Sequence, residues 1–163
     1  MVLHLVASQL NDIALHAERT YPEECCGLLI GTFDRDRSAI WVAEVWAVEN
    51  AWDDQAEAAM RELYQQGKAH PQNLTKFERY WIDPKTMLEA QRYGRDRQLD
   101  IIGIYHSHPD HPALPSECDR LLAWAQYAYI IVSVQQGVVQ DFRCWRLDTE
   151  HQFQPEEIMI VPK

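Results

Sequence analysis

The sequence predicts an α/β (α+β) domain. Three observations carry that prediction: helical spacings alternate with β-branched apolar runs in the first part of the chain, such runs then dominate, and polar or glycine-containing turns separate them. At 163 residues the chain is most simply one domain spanning 1–163. A chain of that size buries about 68–70% of the surface its unfolded form exposes.

Taken in order, Ser8 to Thr20 places Leu10, Ile13, Ala14 and Ala17 at helical spacing, with Ser8 as N-cap, and Tyr21-Pro22 stops it. Glu23 to Phe33 reads as a strand whose apolar centre runs from Cys25 to Ile30, with Gly27 allowing close backbone approach. Asp34 to Arg37 is a polar turn into a second strand, Ser38 to Glu49, hairpinned to the first. The 50–75 segment is the least regular part: Asp53 to Lys68 reads as a helix and His70 to Asn73 as a loop. It is either a surface helix with its loop or an irregular insertion that covers or guides a substrate. Phe77 to Ile82 reads as a short strand. Asp83 then caps a helix that has Pro84 at its first position and runs to Gln98, with Met87, Leu88 and Ala90 among its buried residues. After an apolar strand beginning at Ile101, Glu117 to Tyr127 reads as a helix. Tyr129 to Val134, Val138 to Leu147 and part of Gln152 to Val161 read as strands.

Composition excludes several roles. Fifteen Lys and Arg stand against 25 Asp and Glu, a net charge of −10, so no nucleic-acid partner is expected. Met1 to Val6 is too short for a signal peptide, and no apolar run approaches the roughly 20 residues of a membrane span, so a cytoplasmic protein is expected. Cys25, Cys26, Cys118 and Cys144 form neither a zinc-finger pattern nor Cys-x-x-Cys, and read as reduced packing residues. The tryptophans, Trp41, Trp46, Trp52, Trp81, Trp124 and Trp145, read as mostly core, with Trp52 a candidate partner contact. A homodimer is plausible by base rate alone.

One stretch carries chemistry. The strand from Ile101 ends in His106-Ser107-His108, and a loop broken by Pro109, Pro112 and Pro115 leads to Ser116-Glu117-Cys118-Asp119. Strand alternation puts both imidazoles on one side. Two imidazoles and a carboxylate close three corners of a tetrahedron around zinc and leave the fourth for water, the layout of a catalytic site. Ser116 and Asp119 equally form a helix start, with Ser116 as N-cap, and a helix fixed there would aim Asp119. Such chemistry needs a base, for which Glu23 and Glu24 are the candidates; alternation allows only one to face the site. His4, His16, His70 and His151 lack such company. His111 reads as a solvated loop residue, with a supporting contact to the site or a substrate contact as the alternative.

Glu24-Cys25-Cys26-Gly27, followed far downstream by His106-x-His108-Pro109, seven residues, and Ser116-x-x-Asp119, resembles the JAMM (MPN+, JAB-domain) metallopeptidases, nearest their compact prokaryotic members. The likeness extends through Tyr21 to Glu24 and Phe77 to Asp83. It implies a cytidine-deaminase-like fold, a central mixed β-sheet flanked by helices. It further implies one zinc ion per chain on His106, His108 and Asp119, with Glu24 rather than Glu23 as acid/base and Ser116 as oxyanion donor. The reaction implied is hydrolysis of a peptide or isopeptide bond after the Gly-Gly tail of a ubiquitin-like or sulfur-carrier protein. An extended tail of that kind is expected to add as a strand at a sheet edge. Two alternatives remain. Relatives lacking the ligands are non-catalytic MPN scaffolds, and His106-x-His108-x-Asp110-His111 also resembles the first signature of two-metal metallo-β-lactamase-like hydrolases.

Overall fold

The computed structural model describes residues 1–36, 38–64 and 74–163. Its elements, in order, are β1 (Val2–Val6), α1 (Ala7–Thr20), β2 (Cys26–Phe33), β3 (Ala39–Val48), α2 (Asp54–Tyr64), α3 (Pro84–Arg97), β4 (Asp100–Pro109), α4 (Glu117–Leu122), β5 (Ala128–Gln135), β6 (Val138–Leu147) and β7 (Phe153–Val161). Arg37, the end of the expected Asp53–Lys68 helix beyond Tyr64, and the His70–Asn73 loop lie outside the described residues.

The class holds: a central mixed sheet is flanked by helices, in the order β1-β3-β2-β4-β5-β6-β7. The sheet also closes on itself, because β7 pairs parallel with β1 from Val2↔Glu157 to Val6↔Val161. β1 is not among the expected strands. It is five residues long, and only Leu3 and Leu5 show a buried face, too little local signal to declare a strand whose partners are distant in sequence.

β1 runs straight into α1, so the helix begins at Ala7 and its N-cap is Val6, not Ser8. With no acceptor on the valine side chain, the cap works in reverse: Val6 N–H donates to Gln9 Oε1 at 2.9 Å. α1 packs on β1, β3, β4, β5 and β6, and buries Ile13 and Ala17 with Leu3, Leu5, Leu29 and Tyr105. On the other face α3 buries Ala90 against Leu28, Ile30, Ile101 and Ile104. Its start is as expected: Asp83 Oδ1 accepts from Lys85 N at 2.7 Å, with Pro84 in the first turn. Leu88 is a correction, since it points to solvent on α3 rather than into the core.

Phe77 to Ile82 forms no strand. Its aromatic composition imitates one, but its backbone turns at 76–78 and its polar groups go elsewhere, the Arg79 carbonyl to Asn50 Nδ2 and the Trp81 N–H to Asn50 Oδ1. α4 ends at Leu122 instead of Tyr127, because Ala123 is extended and a turn from Trp124 to Tyr127 sends Ala123 and Tyr127 into the core. Trp41 and Trp124 are 46% and 61% exposed, so the tryptophans are not uniformly core. Trp52, the candidate partner contact, is instead buried and donates Nε1–H to the Leu74 carbonyl at 2.9 Å. Around it Ala56 and Met60 of α2 meet Cys118 of α4 in a third apolar cluster. None of the four cysteines is in a disulfide, and all are buried. Among the described residues no helix is long and apolar enough to cross a membrane.

Candidate metal centre

Register places the site. β2 and β4 pair antiparallel through Cys26↔His106, with a bulge where Leu29↔Gly103 gives way to Ile30↔Ile101. From the bulge on, Ile104, His106 and His108 share the face toward α3, while Tyr105 points to the interior around α1. Two further bonds lock the end of the pair: Cys25 N–H donates to Ser107 Oγ at 2.8 Å and Ser107 N–H to the Cys25 carbonyl at 3.1 Å. Continuing the register by two residues brings Glu24 level with His108 on the same face.

Gly27 is required here. A Cβ on it would lie 2.2 Å from the Tyr105 ring and 2.4 Å from the Trp46 carbonyl. The glycine lets β2 sit close over the ring that fills the interior behind the histidines.

The loop after β4 is tied down on three sides. The Pro112 carbonyl accepts from His108 Nδ1 at 3.0 Å, Ser133 Oγ–H donates to the His111 carbonyl at 2.7 Å, and Trp145 Nε1–H donates to the Ala113 carbonyl at 3.1 Å. It delivers the chain to α4, where both readings of Ser116-x-x-Asp119 coexist. Ser116 Oγ accepts from Asp119 N–H at 3.1 Å, and Asp119 Oδ2 accepts from Ser116 N–H at 2.6 Å, a capping box. The same carboxylate reaches His106 Nε2 at 3.3 Å and His108 Nε2 at 3.4 Å, and the two Nε2 atoms are 3.1 Å apart. Ligands about 2.0–2.1 Å from a tetrahedral zinc are separated from one another by about 3.3 Å. The two distances to the carboxylate go to different oxygens, but each of the three residues offers one ligand atom within 4.8 Å of the others, and their chemistry suits that ion.

Electrostatics agree with that fit. Burial pushes the His106 imidazole below its ordinary value despite the neighbouring Asp119, which favours the neutral, ligating form. Burial opposes charge on Asp119, but His106 and His108 overcome it and hold the carboxyl well below the usual range. His108 donates its Nδ1–H to a backbone carbonyl, leaving Nε2 as the lone-pair donor. His106 Nδ1 is buried without a partner, and Tyr80 stacks on that ring with centroids 4.5 Å apart.

Of the trio, His108 opens onto a cleft of about 420 Å³ whose wall also includes Glu24, His111 and Ser116. Glu24 is only 6% exposed, and burial, then the charge of Asp119, raises its carboxyl well above the ordinary value. A raised carboxyl beside a cleft is the state in which a glutamate exchanges protons near neutral pH. Glu23 does not line that cleft. The structure thus gathers His106, His108, Asp119, Glu24 and Ser116 at one place. Asp110 turns away: its carboxylate accepts from Tyr21 Oη–H and Gln136 N–H, both at 2.8 Å, so the two-metal arrangement lacks its carboxylate.

Sequence reasoning passed over Asn50. Its buried amide donates to the carbonyls of Glu24 and Arg79, both at 2.9 Å, and accepts from the N–H groups of Trp52 and Trp81, both at 3.1 Å. A lone asparagine after a strand carries no signal for such a hub. Arg79 and Tyr80 were hidden by the strand-like composition around them.

Fold and site together define an α/β domain built around a His-His-Asp group suited to a metal ion. Residues 6–148 match the family model described as prokaryotic homologs of the JAB domain, and the chain belongs to this prokaryotic JAB/MPN family. It is 40% identical over 131 residues, 80% of this chain and 70% of its relative, to a probable TtuB-protein conjugate cleaving protease of Thermus thermophilus. It is 31% identical to a desampylase of Haloferax volcanii, over 80% of each chain, and 26% identical to a CysO-cysteine peptidase of Mycobacterium tuberculosis, over 90% of this chain and 83% of that one. Among solved structures it resembles a protein from Desulfitobacterium hafniense, with TM-score 0.74 and 25% identity over 100% of this chain and 94% of that one. It also shares the fold of a JAB1/MPN domain protein from Archaeoglobus fulgidus, with TM-score 0.50 and 17% identity over 97% and 98% of the two chains.

Proposed function

We propose that this chain is a zinc peptidase that hydrolyses the peptide or isopeptide bond after the Gly-Gly tail of a ubiquitin-like or sulfur-carrier protein. One observation carries the reading: a His-His-Asp group whose ligand atoms lie within 4.8 Å of one another stands beside a buried Glu24, its carboxyl raised by burial, at the wall of an open cleft. The relatives whose names state an activity are a conjugate-cleaving protease, a peptidase and a desampylase.

His106, His108 and Asp119 would hold the ion, which supplies Lewis acidity toward a carbonyl oxygen and toward water. Glu24 takes a proton from the attacking water and returns it to the leaving amine, and its raised carboxyl suits both steps. Ser116 Oγ accepts from Asp119 N–H, so its hydroxyl hydrogen is free to turn to the developing oxyanion. β2 pairs with β4 as far as His106 and β5 as far as Pro109, so a tail adding as a strand would have to pair elsewhere than along that part of β4. It lies instead along the cleft between Phe77–Arg79 and Pro112–Ser116, a slot in which the lack of side chains on Gly-Gly is an advantage.

The test is incubation with Gly-Gly-linked carrier conjugates, with and without a chelator. Cleavage that the chelator abolishes and zinc restores is expected. A zinc-replete protein inert toward every such conjugate would overturn the proposal in favour of a scaffold.

A further inference from the structure

Glu24 precedes β2, which begins at Cys26, so among the described residues no strand ladder holds its backbone. Both of its backbone groups go instead to the 76–81 segment, part of which walls the cleft. The Glu24 N–H donates to the Lys76 carbonyl at 2.7 Å. The Glu24 carbonyl accepts from Asn50 Nδ2 at 2.9 Å, and the same Nδ2 donates to the Arg79 carbonyl at 2.9 Å. Asn50 Oδ1 accepts from the N–H groups of Trp52 and Trp81, both at 3.1 Å. Two donated and two accepted bonds are the full capacity of a carboxamide, and a buried group used to capacity has one orientation. Between Arg79 and Trp81, Tyr80 stacks on the His106 ring.

The peptide unit joining Glu24 to Cys25 is therefore gripped at both ends. Its N–H, that of Cys25, donates to Ser107 Oγ of β4 at 2.8 Å, and its carbonyl, that of Glu24, is held by Asn50. A peptide is a rigid plane, and a plane fastened at one end only can still swing. Fastened at both, it sets the backbone torsion of Glu24 and with it the direction of the carboxyl. The metal ligands do not depend on this clamp: His106 and His108 stand on β4, and Asp119 is fixed by its capping box with Ser116.

We propose that Asn50 is a positioning residue for the reaction, one that aims the Glu24 carboxyl at the attacking water and at the leaving nitrogen. This rests on the peptidase reading and adds a residue to its machinery. A general base works within about 2.6–3.2 Å of the proton it takes, and a misplacement of about 1 Å costs about a hundredfold. An amide remote from the reacting atoms thus acts on rate through Glu24 alone.

The experiment is a double-mutant cycle on a cleavable Gly-Gly conjugate, using wild type, Asn50→Asp, Glu24→Gln and the double variant, with zinc stoichiometry measured for each. Asn50→Asp keeps the size and the oxygen that serves Trp52 and Trp81, but a carboxylate cannot donate to the Glu24 carbonyl. It is expected to lower kcat by about tenfold to a hundredfold with zinc stoichiometry as in the wild type. In the Glu24→Gln background the same change should cost less than about threefold, because a side chain that moves no proton gains nothing from being aimed. Asn50→Ser, which keeps one hydroxyl, goes through the same cycle if Asn50→Asp does not fold. Equal losses in the two backgrounds overturn the proposal and leave Asn50 a structural hub. So does a folded Asn50 variant that turns over at the wild-type rate, or one that loses its zinc. A wild-type enzyme inert toward every conjugate overturns the peptidase reading, and this role with it.

Discussion

The two faces of β4 do opposite work. Toward α1, Tyr105 is fully buried, its hydroxyl 2.8 Å from His16 Nδ1, among Leu3, Leu5, Leu29 and Ile102. Toward the cleft, the same few residues of backbone present His106 and His108, and with them a histidine nitrogen without a partner, an Asp119 carboxyl held below its ordinary value and a Glu24 carboxyl raised above it. One face is apolar and satisfied; the other stores unfavourable electrostatics. The contrast teaches that the interior supplies the rigidity with which a destabilising outer face is kept in place.

That division can be broken from either side. The largest expected effect is on chemistry: Glu24→Gln should lower turnover of a cleavable conjugate by about a hundredfold to ten-thousandfold while the melting curve stays put. Wild-type turnover in a folded Glu24→Gln protein would remove Glu24 from its role. Next, Asp119→Ala should abolish zinc binding. Because Asp119 also caps α4, it should in addition cost about 0.5–2 kcal/mol of stability, read by denaturant titration. Unchanged zinc stoichiometry would show that the two histidines suffice. On the inner face, Leu29→Ala removes a fully buried side chain and should cost about 2–5 kcal/mol while zinc stoichiometry is kept. If Leu29→Ala strips the metal from a still-folded protein, the two faces are not separable.

The smallest effect concerns acid. Gln136 N–H and Tyr21 Oη–H hold the Asp110 carboxyl below its ordinary value. A depressed folded-state value means that Asp110 contributes stability above its unfolded value and loses it as pH falls through the folded one. Asp110→Asn should therefore weaken the protein slightly at neutral pH and flatten the acid limb of its stability curve. Parallel acid limbs for mutant and wild type would refute that contribution.

How far all this could be read from the chain depends on how local each feature is. The His-x-His strand end, the Ser-x-x-Asp helix start and the Asp83-Pro84 cap are written within a few neighbouring residues, and the structure forms each of them. The role of Asn50, the closure through β1 and the path of 77–82 depend on partners far away in sequence, so no window of the chain contains them. Composition misled twice, once where aromatic residues beside the cleft looked like a strand, and once where tryptophans read as mostly core include Trp124 and Trp41 at the surface, the latter stacked on His4. Between Glu23 and Glu24 only likeness to a family decided; what the structure adds is placement, since the register of β2 on β4, continued two residues, puts Glu24 level with His108.

Closure of the sheet also constrains how the molecule comes into being. Of the seven strands β1 leaves the ribosome before the others, and its partner β7 after them, with Leu5 waiting for Ile160 and Val6 for Val161. Until then the first strand has one edge uncovered, and sequence-distant pairing of this kind slows folding and leaves sticky backbone on display. The hydrophobic interior behind the histidines is therefore sealed only once β7 has been synthesised, and a nascent chain halted before β7 would be a candidate for misassembly rather than for early activity.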